Sequence, residues 1–151
     1  NYAYQQFRYG YYDKAFKCYR QVLKILEPTN SQYLASLEGY LNTSTKLGLT
    51  SDKELLRLAK KGFSLANKLK DTLSKHIFQL HIYKIQNHIE QYYHYLEAEV
   101  YPNFKKIGYG LAAETYEIKL FDYYMEKGEV ALANKYALPI VEKYRKNSEL
   151  V

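Results

Sequence analysis

Two stretches of this chain carry small and aromatic residues at matching offsets, 118 residues apart: Gly10, Tyr12, Ala15 and Tyr19 are answered by Gly128, Val130, Ala133 and Ala137. Two helices can cross closely only where one of them presents a small side chain, and a glycine just before such a helix lets the chain turn back sharply. The interval divides into three periods of roughly 39 residues, the length of a helix-turn-helix unit. The intervening units, near Leu55 and Leu96, are degenerate but fall where the period puts them. Recurrence of this kind predicts helix pairs stacked side by side, each burying its apolar stripe against the next.

Apolar spacing is helical along nearly the whole chain, with no stretch alternating as a strand would. A first helix over about 2–9 stops at Gly10. A second starts near Tyr12, carries Ala15, Tyr19, Val22 and Leu26 on one face, and stops at Pro28. Thr29 with Gln32, and Ser51 with Glu54, have the spacing of capping boxes. They open a third helix with Leu34, Leu37 and Leu41, ending at Gly48, and a fourth with Leu55, Leu58 or Ala59, Phe63, Ala66 and Leu69. Asp71 caps a fifth, whose buried face is read as Leu73, Ile77, Leu80 and Tyr83. After a break within 87–91, a sixth runs through Leu96, Val100 and Phe104, and Pro102 should kink it. The seventh spans about Leu111 to Gly128, through Tyr116, Leu120 and Tyr124. The eighth carries Val130, Ala133, Ala137, Val141 and Tyr144 around an interior Pro139. The expected fold is all-α: a TPR-like right-handed superhelix of antiparallel helix pairs, about eight helices in four repeats, forming one domain over residues 1–151. The alternative is a generic helical bundle.

Composition removes several function classes. Lys and Arg number 22 against 16 Asp and Glu, a net charge of +6, but the basic residues are scattered. Their densest group, Arg57, Lys60, Lys61, Lys68 and Lys70, reads as one solvated helix face rather than a nucleic-acid patch. A lone cysteine, Cys18, allows no intrachain disulfide and reads as a buried structural thiol. No apolar run approaches the roughly 18 residues of a membrane span, and no signal peptide is evident. A cytoplasmic location is therefore expected. The chain opens at Asn1 inside a helical pattern, so a preceding segment is also expected. Tyrosine is abundant, 19 residues of 151. It buries its ring while keeping its hydroxyl wet, which suits helices packed on one side and open on the other.

Nothing in the pattern points to catalysis, and no cofactor is implied. His76, His81, His88 and His94 miss the i, i+4 spacing of a helical zinc pair, so no metal is expected. Glu97 and Glu99, two residues apart, lie on different helix faces. There is no phosphate-cradling glycine loop and no nucleophile elbow.

Three segments of the second half carry a family likeness: KGFSLANKLKD; then YYHYLEAEVYPNFKKIGYG; then YEIKLFDYYMEKGEVALANKY. Across residues 61 to 146 the chain resembles the C-terminal TPR-like domain of Rap/NprR/PlcR-type quorum-sensing regulators of Firmicutes-type bacteria, including the phage arbitrium receptors. The resemblance implies a cytosolic receptor whose repeats bind a short reimported signalling peptide. It also implies an adjoining effector segment: a helix-turn-helix domain in the transcriptional regulators, through which alone DNA would be met, or a three-helix bundle in the phosphatase branch. The family grips peptide backbone with asparagines.

A repeat array binds peptide where the first helix of each pair turns one stripe to the inner surface. Taking the turn glycines as register, that stripe holds Glu38, Asn42 and Thr45 of the third helix. His81, Lys84 and His88 follow on the fifth, and Asp122, Met125 and Glu126 on the seventh. Asn42 is the one asparagine falling cleanly on it. Two other readings stay open. One is a scaffold for a folded partner or a homodimer, with Tyr92, Tyr93 and Tyr95 as an interface. The other is the repeat domain of a response-regulator phosphatase.

Overall fold

A computed structural model describes residues 2–108 and 110–149 and is all-helical, with no strand among those residues. Its contacts divide it into two compact units, Asn1–His88 and Ile89–Val151.

The first unit comprises α1 (Tyr2–Arg8), α2 (Tyr12–Ile25), α3 (Tyr33–Leu47), α4 (Asp52–Lys68) and α5 (Thr72–Ile85). The turn glycines Gly10 and Gly48 take positive φ, as expected of residues that stop a helix. The connections are short, so each helix folds back on the one before it, giving antiparallel neighbours. Contacts run α1 to α2, α2 to α3, α3 to α4 and α4 to α5. They also run from α1 to α3 and from α3 to α5. The odd-numbered helices therefore lie side by side in one layer, as in stacked helix pairs.

The caps follow the sequence only in part. Ser51 accepts a hydrogen bond from the Glu54 amide at 3.3 Å. The Glu54 carboxylate, however, turns forward to the Arg57 guanidinium at 2.6 Å instead of closing the box. Asp71 caps α5 as read, accepting from the Ser74 amide and hydroxyl at 3.1 and 2.7 Å. The box expected at Thr29 and Gln32 does not form. Asn30 accepts from the Gln32 amide at 2.8 Å, and α3 starts at Tyr33 with no side-chain cap. The short Asn side chain holds a local turn that competes with helix initiation.

Leu34, Leu37 and Leu41 of α3 meet Leu55, Ala59 and Ala66 of α4 and Phe78 and Ile82 of α5 in the main core. Ala3, Ala15 and Tyr19 form a second cluster, against which Phe7, Cys18 and Tyr40 pack. Small residues do sit at the crossings, and two of them lie outside the recurring motif. A methyl at Gly62 would come within 2.4 Å of the Phe78 ring, and one at Gly39 within 2.2 Å of the Tyr19 ring. The buried set of α5 is His76, Phe78, Leu80 and Ile82, while Leu73, Ile77 and Tyr83 are half-buried. A helix packed against both α3 and α4 buries more than one stripe, which a single-face reading cannot anticipate. Arg57, Lys60, Lys61, Lys68 and Lys70 are all exposed, as a solvated face requires.

In the second unit, α6 (Ile89–Tyr95) passes through a π-helical turn (Leu96–Val100) into α7 (Tyr101–Lys106), followed by α8 (Gly110–Glu126) and α9 (Val130–Glu149). Leu96, Val100 and Phe104 are buried, as read. The π turn is how the chain accommodates Pro102. The Tyr101 amide reaches back five residues to the Leu96 carbonyl. The helix thus shifts register immediately before the residue that has no amide to give. Pro139 sits inside α9 without ending it. Among the described residues of α9, Ala133 and Tyr136 are buried, whereas Val130, Val141 and Tyr144 are exposed. Among the described residues α9 packs chiefly on α8, so it buries a stripe narrower than its apolar pattern suggests.

Tyrosine hydroxyls tie this unit together. Tyr124 donates to Glu97 at 2.8 Å, Tyr136 donates to the same carboxylate, and Tyr101 donates to the buried Glu117 at 2.8 Å. Burial raises the pKa of all three phenols, with Tyr124 pushed up to about 12, so each remains a donor at neutral pH.

Candidate functional site

Two cavities of the first unit both have Asn42 in their lining, and together they are called the trough below. One, of about 340 Å³, is lined by Asn42, Thr45, Asp52, Leu55, His81, Lys84, Ile85 and Asn87. The other, of about 310 Å³, is lined by Tyr4, Phe7, Tyr19, Ala35, Glu38, Gly39 and Asn42. Most of these residues come from α1, α3 and α5, the helices that lie side by side.

The inner stripe read from the sequence is brought together here as far as Lys84. Asn42 is half-buried and hydrogen-bonds to Glu38. Thr45 donates its hydroxyl to the Leu41 carbonyl at 2.8 Å, so a ligand would find lone pairs there rather than a proton. His81 is half-buried with its ring tilted against Phe78 at 6.3 Å, tying this wall to the core. Lys84 is exposed at the rim. His88 is also exposed but lines neither cavity; it follows Asn87, where the chain leaves α5, and so falls off the helical stripe.

Asp122, Met125 and Glu126 belong to α8 in the second unit, where all three are exposed. The charges of Glu126 and Asp122 both act on the Tyr93 phenol, helping burial raise its pKa. Tyr92, Tyr93 and Tyr95, read as a possible interface, are half-buried. Tyr93 stacks on Tyr123 with ring centroids 4.0 Å apart, and Tyr92 meets Tyr93 edge-on at 5.0 Å. Much of that aromatic surface is therefore used inside the unit.

Asn87 also lines the larger of these two cavities, although it lies off the predicted stripe. It adopts φ +58°, beyond the end of α5, and helical register does not extend to it. The available signal was its type: asparagine is among the few residues that enter the left-handed region readily. With Asn42 it gives the larger cavity two carboxamides, each able to donate and accept at once. Glu38 was placed on the stripe, but its depth was not foreseen. Burial pushes its carboxyl up to about 7, against the opposing hydrogen bond from Asn42.

Among the described residues no three His, Cys, Asp or Glu side chains gather as metal ligands would, and no helix is long and apolar enough to cross a membrane. What the two cavities offer is hydrogen-bonding groups set among apolar side chains. Compared with family models, with curated proteins and with solved structures, the chain matches none of them.

Proposed function

We propose that this chain is a peptide-sensing, TPR-like repeat domain of a bacterial cytoplasmic quorum-sensing transcriptional regulator, and that a short signalling peptide lies along the α1/α3/α5 trough. The single observation that carries the reading is that Asn42 and Asn87 line one cavity together with Thr45, His81 and Lys84. An extended peptide presents an amide donor and a carbonyl acceptor at each residue, and a carboxamide can satisfy both together. Contact with DNA would fall to a segment other than these repeats.

Calorimetric titration of the full chain with short peptides encoded beside its own gene tests this directly. Saturable binding is expected, weakened about tenfold by Asn42→Ala and by Asn87→Ala, as for loss of a hydrogen bond or two. Absence of saturable binding to every such peptide would contradict the proposal.

A further inference from the structure

The smaller cavity holds a carboxylate that no part of the described chain neutralises. Glu38 shares its wall with the rings of Tyr4, Phe7 and Tyr19. Its side chain is hydrogen-bonded by the Asn42 amide, and none of the ion pairs among the described residues involves it. The groups that face it from α1 and α2 are phenols, Tyr4 and Tyr19, which carry no positive charge. Gly39 lets Tyr19 close over α3, so the ring stands as a fixed wall beside the carboxyl. A cation entering this space would find a charge-assisted hydrogen-bond acceptor at one side and aromatic faces at the others, both of which attract it. The volume, about 310 Å³, suits one terminal residue or one long side chain rather than a longer segment.

From this arrangement we infer that the Glu38 cavity receives one cationic group of the bound peptide, either its N-terminal ammonium or the side chain of a Lys or Arg. The inference rests on the peptide-binding reading above and adds to it a chemical requirement on the ligand. It also implies proton release. Burial pushes the Glu38 carboxyl up to about 7, and the arriving cation would drive it to its charged form, so binding below pH 7 expels a proton to solvent.

The test uses the full chain and an array of synthetic hexapeptides, each made with a free and an acetylated N-terminus, and each with and without Lys or Arg replaced by Gln. Peptides that bind should lose at least about tenfold in affinity on acetylation if the amine is the occupant, or on the Gln replacement if a side chain is. Glu38→Gln, which keeps the shape and the Asn42 hydrogen bond, should erase that difference. Calorimetry at pH 6 in buffers of different ionisation enthalpy should show up to about one proton released with the parent chain and none with Glu38→Gln. Hexapeptides that bind regardless of charge, and equally well to Glu38→Gln, would overturn the cation site while leaving peptide binding intact. If no hexapeptide binds the parent chain, both readings fall.

Discussion

Replacing Phe78 by Ala is expected to destabilise the first unit by about 3–5 kcal/mol, the usual cost of emptying an aromatic site in a packed core. Phe78 is 1% exposed and lies among the α3 and α4 side chains. Its ring occupies the space that Gly62 leaves open on α4. The same contact fixes the sign of a second substitution. Alanine is better than glycine in a helix by about 1 kcal/mol, so helix propensity alone favours Gly62→Ala. A methyl within 2.4 Å of a fully buried ring must instead displace it, and overpacking of this kind costs roughly 1–3 kcal/mol. Gly62→Ala should therefore lower stability in the parent chain. In the Phe78→Ala background the clash is gone, and the same change should raise it. Urea unfolding of the four chains, followed by circular dichroism, reads the reversal. Equal effects of Gly62→Ala in both backgrounds would mean that α4 and α5 do not cross at this point.

Stability should also depend on pH through Glu38. Its folded pKa, about 7, exceeds the ordinary value of 4.5, so between these values the folded chain holds a proton that the unfolded chain has lost. The unfolded state then binds fewer protons, and stability must fall as pH rises through this window. The contribution is intact below about pH 4.5 and is gone above about pH 7. A shift of this size corresponds to at most about 3 kcal/mol, and because solvent still reaches the half-buried carboxyl, roughly 1–2 is expected. Glu38→Gln cannot ionise, so it should match the parent near pH 4.5 and exceed it by that amount at pH 8. Thermal melts of both chains from pH 4.5 to 8 check this. Parallel pH profiles would show that Glu38 is solvated after all.

Much of this was legible in the sequence because it is local. Helical spacing, the stops at Gly10, Gly48 and Gly128, and the caps at Ser51 and Asp71 each depend on a few neighbouring residues. The small residues Ala15 and Ala133 were legible because they recur. Gly39 and Gly62 were not, since their importance comes from rings on other helices, Tyr19 and Phe78. The π turn at Leu96–Val100 escaped notice for a similar reason: Pro102 announces a disturbance but not how the backbone will absorb it. In the site, helical register located Asn42, Thr45, His81 and Lys84, which share regular helices. It lost Asn87, which lies past a helix end, and it could not give the depth of Glu38, which α1 and α2 create.

Amide hydrogen exchange of the full chain, with and without a saturating peptide, tests most directly whether the odd-numbered helices form the binding surface. Added protection should concentrate in α3 and α5 along the Glu38, Asn42 and Lys84 faces, with a smaller increase in α1. Protection confined to α2 and α4, or to the second unit alone, would place the ligand elsewhere and contradict the trough as its seat.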